Sequence, residues 1–144
     1  MTPSRNPAND AAFPKNDRGT GSLNDYKFDL IPRNARTRIQ LAGSDPYQDE
    51  LRAALEESGT EVHTAGGQRT LEEERTDAPM ELRLFLGRRV SGVVGTVPRG
   101  LEPAVVEALG RLDRASKPLR IPAEIVTTRH GLRVELLMGQ TRDL

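Results

Sequence analysis

The chain contains no cysteine and no tryptophan. The missing cysteine removes disulfides, thiolate metal sites and cysteine nucleophiles together. A small secreted domain usually needs such staples, so a reducing, cytoplasmic setting is expected, with a core held by packing alone. Aromatic residues make up 3% of the 144 positions, so platforms for stacking bases are scarce. With two histidines, and with Glu72-Glu-Glu74 lacking the turn glycine and spacing of a carboxylate loop, neither a metal nor another cofactor is expected. No apolar run approaches the roughly 20 residues that span a bilayer. Met1-Thr-Pro-Ser-Arg-Asn-Pro7 lacks the apolar stretch of a signal peptide. Gly92-x-x-Gly95 is not followed by Gly-Lys-Ser/Thr, and no serine sits in a nucleophile elbow. A non-catalytic role is therefore expected.

The length suits one domain. Apolar residues are 35% of the chain and the mean hydropathy is −0.57, which fits a polar tail diluting an ordinary core. Residues 1–35 read as that tail. Pro3, Pro7, Pro14 and Pro32 interrupt a run of small polar residues with too few apolar side chains to offset the entropy of ordering them. A disordered arm is expected there. Within it Tyr26-Lys-Phe-Asp-Leu-Ile31 alternates, as an edge strand or a segment docking onto a protein partner would.

The domain is placed at residues 36–140. Strands are expected at 37–42, 61–65, 80–85, 90–97, 119–126 and 132–138, from alternating apolar positions bounded by turn residues. A helix is expected from Asp45, with Asp45 as N-cap, Pro46 in the first turn, Gln48 as in a capping box, and Ser58-Gly59 as the stop. A second amphipathic helix is expected over 102–114, with Leu101, Val105, Leu109 and Leu112 as its stripe. Residues 68–79 read as a polar connection. Gly66-Gly67 breaks the strand before it, and Gly87-Arg88 is a hairpin turn. Gly92 and Gly95 suggest a bulge or tight bend, and Pro122 an edge or bulge. The expected class is α+β: a small, mostly antiparallel bent sheet or β-barrel with two short amphipathic helices.

Net charge is zero, but unevenly spread. Residues 36–82 carry five arginines against eleven carboxylates, and residues 83–133 carry ten basic side chains against four acids. Either the second half faces an anionic partner, or the two halves attract each other in the fold. Arginine grips phosphate through its planar fork. Arg88 and Arg89 at one turn, Arg129 at another, and Arg99 and Arg120 beside the strands are candidate contacts to a nucleic-acid backbone. Tyr47 is the candidate base-stacking ring, with burial in the core as its other reading.

Ala42-Gly-Ser-Asp-Pro-Tyr-Gln-Asp-Glu-Leu51, Gly92-Val-Val-Gly-Thr-Val-Pro-Arg99, Leu119-Arg-Ile-Pro-Ala-Glu-Ile125 and Gly131-Leu-Arg-Val-Glu-Leu136, in this order, resemble HIRAN-like domains of the bacterial or phage stand-alone form. The resemblance covers about residues 37–138. It implies a small barrel with two helices that binds DNA at the exposed end of a strand. It also implies a pocket role for Asp77, the one match to the family's Asn-Pro-x-Asp stretch. Thr76 stands where that motif has tyrosine, and Thr96 where a later strand has an aromatic. With the pocket motif largely missing, a protein-interaction module on the same fold is the alternative.

Overall fold

Short alternating segments joined by tight turns can each bury only one face, so they enclose a core by curling the sheet they form. In the computed structural model, which describes residues 13–66 and 68–142, this happens with six strands: β1 (Ile39–Gln40), β2 (Glu61–Gly66), β3 (Glu81–Phe85), β4 (Val90–Thr96), β5 (Pro122–Thr128) and β6 (Gly131–Leu136). They form one sheet in the order β1-β6-β5-β2-β3-β4, with every pairing antiparallel. Ala42, just past β1, exchanges both backbone hydrogen bonds with Thr96 of β4 at 2.8 Å. The two edges of the sheet therefore meet, and the domain is a bent, barrel-like α+β fold.

Helix α1 (Gln48–Ser58) and helix α3 (Glu102–Arg114) stand where amphipathic spacing puts them. Leu51 and Ala54 of α1 are fully buried, as are Ala104, Val105 and Ala108 of α3. Gly59 stops α1, with φ +78° and its N–H donating to the Leu55 carbonyl. A third helix, α2 (Leu71–Arg75), interrupts the connection expected to be irregular. Thr70 and Glu73 form a reciprocal capping box there, a Thr-x-x-Glu signal hidden inside an acidic run. The turn at Gly87-Arg88 is two residues long, closed by Leu86 N–H donating to the Arg89 carbonyl at 2.8 Å. The β3–β4 pairing carries the irregularity expected from the β4 glycines. At Gly95 a side chain would meet the Ala42 carbonyl and the Ser44 hydroxyl at 2.9 Å, so only glycine allows this approach. Pro122 lies on neither edge nor bulge. It opens β5, the other position where a missing amide is tolerated.

The start of α1 departs from expectation. Residues Asp45–Tyr47 make a 3-10 turn and the α-helix begins at Gln48. Asp45 does not cap it, because its carboxylate takes the Arg133 guanidinium at 2.7 Å. Gln48 makes no capping-box bond with the Asp45 amide; its side-chain nitrogen donates to the Ser44 carbonyl at 3.0 Å and the group also bonds across to β6. Its side-chain oxygen accepts from Leu132 N–H at 2.8 Å and its nitrogen donates to the Leu132 carbonyl at 3.0 Å, as a neighbouring strand would. Glu50 accepts from Gly92 N–H on β4 at 2.8 Å. Side chains of α1 thus complete the main-chain bonding of β6 and β4, between which β1 is too short to run.

Over residues 13–35 the structure corrects the expected disorder. Residues 1–12 lie outside the described residues, as does Gly67 of the expected Gly-Gly break. From Phe13 onward the chain is laid on the barrel. Thr20 bridges Gln40 at the outer side of β1. Asp17 is 1% exposed and accepts from the amides of Ser44 and Asp45 at 2.9 and 2.8 Å. It also lies 3.4 Å from Arg133, itself 1% exposed. Tyr26 is buried and pairs with Pro32 in a tight loop, so 26–31 is not an edge strand. A few well-placed contacts order the segment despite its composition.

Removing Asp17 leaves Arg133 with Asp45 alone and two amides unpaired. Asp17→Ala is expected to cost about 3 kcal/mol in urea unfolding. Burial, reinforced by Asp25 and opposed by Arg111, raises the Tyr26 phenol well above the usual tyrosine value. Below about pH 10 both folded and unfolded phenols are protonated. Above it only the unfolded one ionises, so stability falls as pH rises. The Tyr26 hydroxyl has no hydrogen-bond partner. Tyr26→Phe is therefore expected to be near neutral at pH 8 and to flatten the loss of stability at pH 11, measured by urea unfolding at both.

Candidate nucleic-acid interface

Strand register decides which basic side chains share a wall. His63 of β2 lies opposite both Phe85 of β3 and Pro122 of β5, and Ala65 lies opposite Arg83. With Val62, Thr64, Leu82, Leu84 and Ala123 buried, the alternate residues His63, Arg83, Phe85 and Pro122 face outward together, and Glu61, Glu81 and Glu124 share that face. Arg120, two residues before Pro122, lays its guanidinium over the Phe85 ring, 3.6 Å from the centroid. That is a cation–π contact in which the exposed Arg120 lies on a half-buried ring. Arg83 donates only to the Ser91 carbonyl, at 3.4 Å.

Beside this platform lies a cleft of about 310 Å³, lined by His63, Leu112, Lys117, Pro118, Arg120 and Pro122, with Gln140 and Thr141 closing it. Among the described residues no carboxylate lines it. Its walls are held by buried hydrogen bonds. Thr64 and Ile121 exchange bonds at 2.9 and 3.0 Å, and Arg111 donates to the Thr141 hydroxyl at 2.9 Å. Burial lowers the Arg111 pKa, and two of its nitrogens lack partners. Its guanidinium faces the fold and not a ligand. His63, Phe85 and Lys117 had no sequence signal beyond their types, because only register gathers them.

The other candidates divide among several places. Arg88 and Arg89 at the β3–β4 turn and Arg129 at the β5–β6 turn lie at the same end of the barrel, since β2 begins where β3 and β5 finish. Arg88 and Arg129 are exposed and, among the described residues, form no ion pair. Arg89 is bound to Glu57 at 2.8 Å, which raises its pKa. Arg99 lies at the opposite end. It holds the Asp77 carboxylate, the Asp77 carbonyl at 2.7 Å and Glu102 at 3.1 Å. Asp77, at φ +55°, is thereby a fastening for the α2 connection. Tyr47 is half-buried in the turn before α1. The structure does not bring Tyr47, Asp77 and Arg99 together with Arg88, Arg120 and Arg129. Arg133, counted in the basic half, is buried.

Both readings of the charge asymmetry have a counterpart here. Arg89–Glu57, Arg99–Asp77 and Arg133–Asp45 join the basic half to the acidic one. Arg83, Arg88, Lys117, Arg120 and Arg129 stay outside these pairs. No family model, no curated protein and no solved structure matches the chain. Among the described residues no helix is long and apolar enough to cross a membrane.

If Arg99 serves the fold, Arg99→Ala is expected to free the Asp77 loop. Amide exchange should rise over residues 72–78, with about 1 kcal/mol lost in global stability.

Proposed function

We propose that the chain is a non-catalytic nucleic-acid-binding module, with DNA as the expected ligand, built on a barrel of HIRAN-like design. One observation carries this reading: Arg83, Lys117 and Arg120, which form no ion pair among the described residues, lie on or beside the wall that presents the Phe85 ring. Arg120 on Phe85 offers a flat face to a base, and Lys117, Arg83 and Arg88 flank it where phosphates of the same strand would run. Such contacts bind through charge and stacking, carry little sequence information and weaken with salt. The binding residues in this reading are Arg120, Arg88 and Arg129 from the sequence, joined by Arg83, Lys117 and Phe85. Arg89, Arg99 and Asp77 are engaged elsewhere.

The second reading, a protein-interaction module, is favoured by Phe28, a phenyl ring fully exposed on a loop whose base is fixed.

A titration of labelled single-stranded and duplex DNA at 50 and 200 mM salt tests the first reading. Binding is expected that weakens with salt. Arg88→Ala combined with Lys117→Ala is expected to lower the log–log salt slope for single strands by about 1.4. Absence of binding to either DNA at the lower salt would sink the reading.

A further inference from the structure

The loop bearing Phe28 is an unusual place for an exposed ring. It is not a floppy tip. Lys27 N–H donates to the Ile31 carbonyl at 2.8 Å, Leu30 N–H to the Lys27 carbonyl at 2.8 Å, and Arg33 N–H to the Asp25 carbonyl at 2.9 Å. Ile31 N–H reaches the Asp29 carboxylate at 3.3 Å. Tyr26 anchors one side in the core. Leu30 sits at φ +67°, a left-handed conformation that costs a branched side chain energy. This bonding holds Phe28 away from the protein, flanked by a cation, Lys27, and an anion, Asp29.

Elsewhere the chain carries a receptor of matching character. A groove of about 400 Å³ opens between α2 and α3, floored by Met80, Val106 and Leu109 and rimmed by Arg69, Glu74 and Asp113. Val106 is half-exposed and Leu71, at the start of α2, is 78% exposed, so apolar surface continues past the groove. Arg69 donates to the Ala78 carbonyl at 2.9 Å and lies 3.8 Å from the Asp77 carboxylate, with its side chain 14% exposed at the rim. Asp113 forms no ion pair among the described residues.

We propose that the groove receives the Phe28 loop of a second copy of this chain. The ring fills the apolar floor. Lys27 meets Glu74 and Asp113, and Asp29 meets Arg69. Charge complementarity on both sides of one aromatic selects this occupant over an undifferentiated hydrophobic peptide. A phenylalanine buries about 150–250 Å², and a stable specific interface buries about 1,200–2,000 Å². Two reciprocal knobs therefore make a weak, concentration-dependent pair, not a permanent one. This does not depend on nucleic-acid binding.

Sedimentation velocity of the full chain from 10 µM to 1 mM tests the proposal. The sedimentation coefficient is expected to rise with concentration. Phe28→Ser and Val106→Glu, both at exposed positions, should each be folded by circular dichroism and monomeric. A chain that stays monomeric to 1 mM overturns the proposal. So does a dimer that survives Phe28→Ser or Val106→Glu.

Discussion

The first strand is two residues long, and the architecture turns on that shortness. An antiparallel sheet can close only if its end strands satisfy each other's main-chain groups. Here β1 leaves most of the facing edges of β4 and β6 unpaired. Helix α1 fills the space, and its polar side chains take the bonds a strand would have made. The Gln48 amide has a donor and an acceptor in the right relation to imitate a peptide unit, and Leu132 uses both. Glu50 serves Gly92 on the other side. The amides of Ser44 and Asp45, left open at the 3-10 turn before α1, are met by Asp17 from the arm. Arg133 is buried with Asp17 and also reaches Asp45, whose side chain is partly exposed. An ion pair this buried persists because its nitrogens also reach the Leu132 and Asn16 carbonyls.

The same constraint accounts for the distribution of charge. Asp45, Glu50, Glu57 and Asp77 of the first half serve closure and fastening, and Arg89, Arg99 and Arg133 of the second half are partners of three of them. Residues on the outer wall of β2, β3 and β5 are not needed for closure. Cations there share the wall with Glu61, Glu81 and Glu124 but form no ion pair among the described residues, and one rests on Phe85. The proposed binding surface consists of the basic residues that the fold leaves unused.

The ordered arm changes the character of the molecule as well as its outline. Thr20, Asp17 and Tyr26 tie it to the barrel at three separated points, which leaves the loop at Phe28 rigid where composition suggests a tail. A ring presented from a rigid loop loses less entropy on contact than one on a free chain, which is the physical basis for treating it as a contact group.

The periodicity of the strands, both main helices and the hairpin turns was written in the chain, because side-chain alternation, glycine and proline act within a few residues of their position. Thus α3 runs from Glu102 to Arg114 as its stripe requires, and the α+β class followed. Composition misled for the arm, since Asp17 acts 27 residues away on Ser44 and Tyr26 is buried by neighbours distant in sequence. Local capping rules misled for Asp45 and Gln48, since β6 offered both a stronger use. Which arginines are free was a matter for tertiary structure alone. A guanidinium's surroundings depend on strand register and on carboxylates brought near by folding, and neither is a property of the arginine's own stretch of chain.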